Sequence, residues 1–233
     1  MSRHLKRYTM PKGWPVAKKG NVFVVKPRAG PHKIENSIPL TILLRDQLKA
    51  VNTGQEARRV IKAGGVLVDK KQRKDPKFPV GLMDIVEFPA SKKHYKVLVN
   101  NNGFDLVEIS EKEASEKLCK IKDKKTVKGG LLQLNLHDGR NILTENNGYK
   151  PGDSVKVGLP EQELQEHLKL DVGSTVLVVG GKNKGTEGKI VEIANRKQMT
   201  GKNIVTIDIK GKKVETLKDY VFVIGGEKSS KGK

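Results

Sequence analysis

Aromatic side chains make up only 4% of the 233 residues, with one tryptophan, Trp14. That excludes a broad base-stacking platform and leaves at most a sparse one. A single cysteine, Cys119, excludes an intrachain disulfide and a multi-cysteine metal centre. No apolar run is long enough to span a bilayer. The N-terminus is basic, yet no apolar segment comes after it, so no secretory signal is expected and a cytosolic setting is favoured. Acidic residues are missing from the start of the chain, the first being Glu35. Catalytic constellations are missing too. His137 stands beside Asp138 in His137-Asp138-Gly139-Arg140, but no nucleophile or second carboxylate is paired with them, and they read as turn chemistry. The pattern supplies no base for Cys119. No reaction, cofactor or metal is expected.

Positive charge is what the chain has in excess. Lys and Arg number 46 against 26 Asp and Glu, a formal net charge of +20. That is beyond what solubility needs and is natural for a protein that lives against phosphate. An acidic protein partner or a membrane surface are weaker readings. The hydrophobic fraction of 36% suffices for small cores but not for one generous core. One domain is compatible with the length, and so are two or three small ones.

Residues 37–88 are the best organised stretch. Residues 37–49 read as a first helix, with Leu40, Leu44, Leu48 and Val51 at helical spacing, Leu43 beside them and Pro39 in the first turn. Residues 53–62 read as a second helix. Thr53 and Glu56 form its capping box, Ala57, Val60 and Ile61 face the first helix, and Gly64, with Gly65 after it, stops it in a left-handed conformation. Arg45, Arg58, Arg59 and Lys62 fall off the apolar faces. A strand at 66–68, a basic turn carrying Lys70, Lys71, Arg73 and Lys74, and a strand at 84–88 complete the unit. Cations on a rigid helix and on a turn can meet the phosphates of a folded nucleic acid together. Asp46 and Glu56 read as a local charge partner and a cap.

Residues 1–36 form a basic arm carrying Arg3, Lys6, Arg7, Lys12, Arg28 and Lys33, with Pro11, Pro15, Pro27 and Pro31 preventing long elements. A short strand is compatible with 22–25. The arm is expected to be disordered alone and to order on a partner. Trp14 either pins it to a neighbouring domain or stacks on a base, and packing is the commoner use of an isolated aromatic. Beyond residue 88, 89–93 read as a linker and strands are expected at 95–99 and 104–109. Ser110 and Glu113 then cap a short helix reaching 118–121, where Cys119 packs or is exposed. Leu132, Leu134 and Leu136 alternate as a strand, and 141–143, Val155 and Val157 continue a small barrel or curved sheet. Residues 161–169 read as a short amphipathic helix or linker. The remainder is strand and turn, at 175–179, on to Ile193, at 204–209, 214–216 and 220–224, with a polar tail that frays. The glycine-rich loop after Val179 lacks the Gly-Lys-Ser/Thr ending of a phosphate-binding P-loop and joins two strands. Gly185 and Gly188 allow a tight turn and close backbone approach. Lys182, Asn183, Lys184 and Lys189 then touch sugar-phosphate or a base edge, or are merely solvated.

These residues carry a resemblance. Leu44-Arg45-Asp46, Glu56-Ala57-Arg58-Arg59-Val60-Ile61 and Gly65-Val66-Leu67-Val68-Asp69 resemble a small αL-type RNA-binding domain shared by several ribosomal proteins, pseudouridine synthases and tyrosyl-tRNA synthetases. Residues 180–193 resemble the KOW motif. With His4-Leu5-Lys6-Arg7, Pro11-Lys12-Gly13-Trp14, Gly30-Pro31-His32-Lys33 and Lys128-Gly129-Gly130 added, nearly the whole chain resembles the four-e family of small-subunit ribosomal proteins, its short tail being similar to the archaeal members.

The resemblance implies an α+β multidomain chain. A basic N-terminal arm (1–36) precedes a small helix-helix-β RNA-binding domain (37–90), a central β-rich domain (91–168), a C-terminal SH3-like β-barrel with the KOW motif (169–225) and a flexible tail (226–233). It implies a cytoplasmic, structural constituent of the small ribosomal subunit, with small-subunit rRNA and neighbouring ribosomal proteins as partners. No membrane, small-molecule substrate, cofactor or stable homo-oligomer is implied. The family's RNA-binding face corresponds to Arg45, Arg58, Arg59, Lys62, Lys70, Lys71, Arg73 and Lys74, with the KOW turn at Asn183 and Lys184 and the arm as further contacts. One alternative is a translation or transcription accessory factor using the KOW barrel. Another is an RNA-modifying enzyme using the small domain as a clamp, which would need a catalytic core that residues 94–165 do not supply.

Overall fold

The computed structural model describes residues 4–194 and 203–225, so Arg3 and the tail from residue 226 lie outside the described residues. The chain divides into two compact units. The first runs to Lys117 and includes Gly158–Glu161; the second holds Leu118–Val157 and the residues from Gln162 onward.

In the first unit β1 (Leu5–Lys6) pairs antiparallel with β2 (Phe23–Val24). The arm expected to order only on a partner is therefore folded. Met10 and Trp14 are buried in the main core, with Leu5, Val16, Val24 and Val25 packed against it. Trp14 donates its Nε1–H to the Ser37 carbonyl at 2.7 Å, so pinning, not base stacking, is its role here. Prolines break the arm's regular structure, but its scattered apolar side chains still bury enough surface to hold it down.

Next along the chain are β3 (Ser37–Pro39), α1 (Leu40–Ile42), a π-helical turn over Leu43–Gln47, α2 (Gly54–Lys62), β4 (Leu67–Val68), β5 (Lys71–Gln72), β6 (Pro79–Gly81), β7 (Ile85–Phe88), β8 (Lys93–Asn100) and β9 (Gly103–Ile109). The first helix thus starts later than its apolar spacing suggests. Ile38 precedes a proline and is driven out of the α region. Pro39 keeps ψ at 142°, and β3 pairs with β6. The helix ends in a π turn, with Leu48 N–H reaching the Leu43 carbonyl at 2.9 Å, and Lys49 takes φ 52°. α2 has the expected capping box between Thr53 and Glu56 and buries Ala57 and Ile61. Val60, expected to face the first helix, is 37% exposed. Gly64 has φ +83°. The segment expected as a linker at 89–93 is instead a turn into β8, and β7 and β8 pair from Ile85↔Lys96 to Phe88↔Lys93. One sheet, in the order β5-β4-β7-β8-β9, runs through this region.

Ser110 and Glu113 do make their reciprocal bonds, at 3.4 and 3.3 Å, but they cap only a single 3-10 turn, Glu113–Ser115. The expected helix is replaced by β10 (Glu116–Thr126), along which the chain enters the second unit. Lys117, Cys119 and Ile121 are buried at every second position, so strand alternation outweighs the local cap. β11 (Leu132–Leu136) shows the predicted alternation, with Leu132, Leu134 and Leu136 buried. With β12 (Asn141–Thr144), β13 (Ser154–Gly158) and β14 (Leu164–Leu168) it forms a sheet ordered β12-β11-β10-β13-β14. β14 occupies the stretch read as helix or linker. Its pairing with β13 is bracketed by His167 on Asp153 at 2.8 Å and Glu166 on Lys156 at 3.4 Å, long-range partners that local periodicity does not see.

The last strands are β15 (Thr175–Val178), β16 (Glu187–Ala194), β17 (Ile204–Ile209), β18 (Lys212–Leu217) and β19 (Val221–Gly225), in the order β18-β17-β16-β15-β19. Val176, Val178, Ile190, Val205, Ile207, Val221 and Val223 fill their core. The molecule is mostly β with few helices, and the strand pairing defines an antiparallel five-stranded sheet here.

Candidate nucleic-acid interface

The first unit brings three basic segments onto one scaffold. α2 presents Arg58, Arg59 and Lys62, all exposed, because the buried stripe is confined to Ala57 and Ile61. Arg45, on the π turn, is half-buried and bound side-on by Asp46, with Nη2 to Oδ2 at 2.7 Å and Nε to Oδ1 at 3.1 Å. Hydrogen bonding to that carboxylate raises the Arg45 pKa above its already high value. Part of the Arg45 charge is therefore spent locally. Glu56 is held below the usual carboxylate range by the backbone N–H groups of Thr53 and Asn52, as a cap should be.

The basic turn after β4 is a tight hairpin. Val68 pairs with Lys71, leaving Asp69 and Lys70 as the two turn residues, with φ of 51° and 62°. This matches the backbone required at both positions of a type I′ turn, though neither residue is a glycine. Side chains hold it there. Lys70 is ion-paired to Glu87 at 2.9 Å. Asp69 accepts from the Ile85 N–H at 3.0 Å and from Lys117 Nζ at 2.7 Å. Lys117 is fully buried and also bonds Asp84 at 2.6 Å, and Asp84 in turn accepts from the Gly81 N–H at 2.8 Å and lies 3.0 Å from His32. Burial alone would raise the Asp84 pKa; Lys117 and His32 outweigh it and hold Asp84 below the usual carboxylate range. Lys71 and Lys74 stay exposed beyond this brace. Arg73 is half-buried, with its guanidinium 4.4 Å from the Phe78 ring centre.

From the arm, Lys6, Lys12, Arg28 and Lys33 are exposed, and Arg28 reaches Asp75 at 3.3 Å. Arg7 is tied to the arm's own backbone, its Nη1 donating to the Ala17 carbonyl at 3.0 Å. Arg7, Arg45 and Arg58 line a common cleft with Lys26, one more cation of the basic arm, and Lys77, neither of them among the contacts expected from the sequence. Their convergence depends on the arm folding back, which no local pattern signals.

In the second unit the glycine loop is a tight connection from β15 to β16. Gly185 N–H bonds the Val178 carbonyl at 2.7 Å, and Thr186 Oγ1 the Asn183 carbonyl at 2.7 Å. Gly181 and Gly185 have φ of 83° and 82°. A Cβ on Gly188 would stand 2.5 Å from the Asp208 carbonyl, so close strand approach requires glycine there. Lys182 is exposed; Asn183 and Lys184 are half-buried, and burial lowers the Lys184 pKa. Cys119, expected to pack or be exposed, is buried beside His137 and Asp138, with Sγ 3.7 Å from Asp138 Oδ2.

Sequence and structure comparisons agree with this layout. The RS4NT (NUC023) domain pattern matches residues 1–35, the S4 domain 39–86, Ribosomal family S4e 91–164 and the KOW motif 172–208. The small ribosomal subunit protein eS4 of Methanothermobacter thermautotrophicus is 46% identical over 97% of this chain and 94% of its own length. That of Methanocaldococcus jannaschii is 43% identical over 97% and 95%. The chain belongs to ribosomal family S4e. A crystal structure of the S4e protein from Thermoplasma acidophilum, 30% identical, superposes with a TM-score of 0.72 over 83% of this chain and 97% of that one. The S4-domain match of this S4e chain spans Arg45, α2 and the braced hairpin; the KOW match spans the β15–β16 loop. β8 and β9, which extend the S4-domain sheet, fall instead under the S4e match.

Proposed function

We infer that the chain is a structural constituent of the small ribosomal subunit, cytoplasmic, binding folded small-subunit rRNA and lying against neighbouring ribosomal proteins. The full-length similarity to eS4 proteins carries this reading. The exposed cations of α2 and of the β4–β5 hairpin, on a chain of net charge +20, supply its chemistry. Its role is assembly and support of the particle, not catalysis. Finer assignments rest on the same reading: Arg58, Arg59, Lys62, Lys71 and Lys74 on phosphates, Lys182–Lys184 as a second contact, and Lys70 acting mainly through its turn. The C-terminal sheet is read as an SH3-like barrel, and neither a membrane nor a second copy of the chain is a partner.

Replacing Arg58 and Arg59 together by Gln tests the face. Each phosphate contact contributes roughly 0.7–0.9 to the slope of log affinity against log salt. The double variant should flatten that slope by up to about 1.8 on small-subunit rRNA, two contacts at that value, with Trp14 fluorescence unchanged. An unaltered slope in the folded variant removes this face from the interface.

A further inference from the structure

The arm and the helical domain enclose a cleft of about 510 Å³. Its lining carries five cations, Arg7, Lys26, Arg45, Arg58 and Lys77, and no acidic side chain, although Arg45 is paired with Asp46 just outside it. Its wall also carries Phe23, 54% exposed in a chain with only 4% aromatic residues. The ring of Phe23 rests near His4, with centroids 5.4 Å apart and planes tilted by 47°. Arg7 also lines this cleft. Its Nη1 is held by the Ala17 carbonyl, while its Nε is buried without a hydrogen-bond acceptor among the described residues.

Paired RNA presents phosphates to a cationic surface, but its bases are stacked away inside the helix. A cleft joining an exposed ring to a set of arginines suits an unstacked nucleotide, which offers a flat π face and phosphate oxygens together. The volume falls within the range of roughly 300–1,000 Å³ typical of small-ligand sites. We propose that this cleft takes one unstacked nucleotide of the RNA, its base against Phe23 and its phosphates against Arg7, Arg45 and Arg58. This rests on the rRNA-binding reading and gives it a local specificity for looped-out or single-stranded positions. Phe23 sits in β2 opposite Lys6, so the ring is placed by the same hairpin that folds the arm back.

The test uses the full chain with an oligoadenylate and its abasic counterpart of equal length, which keeps the ribose-phosphate chain and lacks the bases. The wild-type chain should bind the base-bearing strand about tenfold more tightly. Phe23→Ala should abolish that preference and leave abasic binding unchanged, while Phe23→Trp should keep it. Thermal unfolding should be unaltered in both variants, since the side chain is exposed. A preference that survives Phe23→Ala, or a wild-type chain that binds both strands equally, overturns the proposal. Binding of small-subunit rRNA with no measurable binding of either oligonucleotide overturns the cleft proposal alone. Failure to bind that rRNA as well overturns the rRNA-binding reading with it.

Discussion

Replacing Lys117 by Met should destabilise the first unit and reverse part of its response to acid. Lys117 Nζ is fully buried and is bonded to two carboxylates, Asp69 at 2.7 Å and Asp84 at 2.6 Å, which are 6% and 1% exposed. Methionine preserves most of the volume and removes the cation. Taking one partner from a buried ionic cluster typically costs about 3–5 kcal/mol, because the remaining charges stay desolvated and unpaired. With a urea dependence of about 1–3 kcal/mol per molar, the midpoint should fall by roughly 1 M or more. Trp14, the only tryptophan, is buried in the same unit and reports its unfolding.

The pH dependence makes the test sharper. In the native chain Asp84 has a lowered pKa, so its contribution is present above the ordinary carboxylate value, about 3.9, and is lost as pH falls through the lower folded one. Without Lys117, burial, the largest single influence on Asp84, is opposed by His32 alone and should raise the Asp84 pKa. The variant should then gain stability as pH falls from 7 towards about 5, where the native chain shows no such gain from this group. Adding Asp84→Asn should recover part of the loss at neutral pH. A Lys117→Met chain within about 1 kcal/mol of the native one, with the same pH profile, would refute the idea that this cluster braces the hairpin.

Three substitutions test the backbone. Gly64→Val puts a β-branched residue at φ +83° and against the Gln72 side chain, which bonds the Gly64 carbonyl at 3.1 Å; a loss of about 1–3 kcal/mol in thermal or urea unfolding is expected, and unchanged stability would count against the left-handed helix stop. Gly103→Ala drives a methyl group into the Gly13 backbone, whose Cα would lie 2.7 Å away, at φ +132°. It should cost roughly 2–5 kcal/mol from overpacking and strain together and shift the emission of the adjacent Trp14. Gly130→Ala, at φ +76° with open space around it, should show the strain alone and so be milder.

Some features of this protein were set by neighbours in sequence. The Thr53–Glu56 box, the left-handed Gly64 and the alternation of Leu132, Leu134 and Leu136 each depend on residues within a few positions, so their spacing is enough to read them. The charge excess and the exposed Arg58, Arg59 and Lys62 opposite Ala57 and Ile61 are legible for the same reason. The family resemblance adds domain order, since several motifs occur in register along one chain. Tertiary structure decided the rest. The Ser110–Glu113 cap is present in both sequence and structure, yet the chain beyond it is a strand, because Cys119 and Ile121 gain more by packing with Leu134, Leu136, Val155 and Val157 than by continuing a helix. Residues 164–168 become a strand only because β13 stands ready to pair with them. Lys117, which no sequence pattern singles out, is the most deeply buried charge of the hairpin brace, since Asp69 and Asp84 are brought to it from 48 and 33 positions away. The cleft bearing Phe23 likewise exists only once the arm packs on the core. Local preferences act over a turn of chain, whereas burial and charge pairing are settled by whichever distant residues the fold brings within a few ångströms.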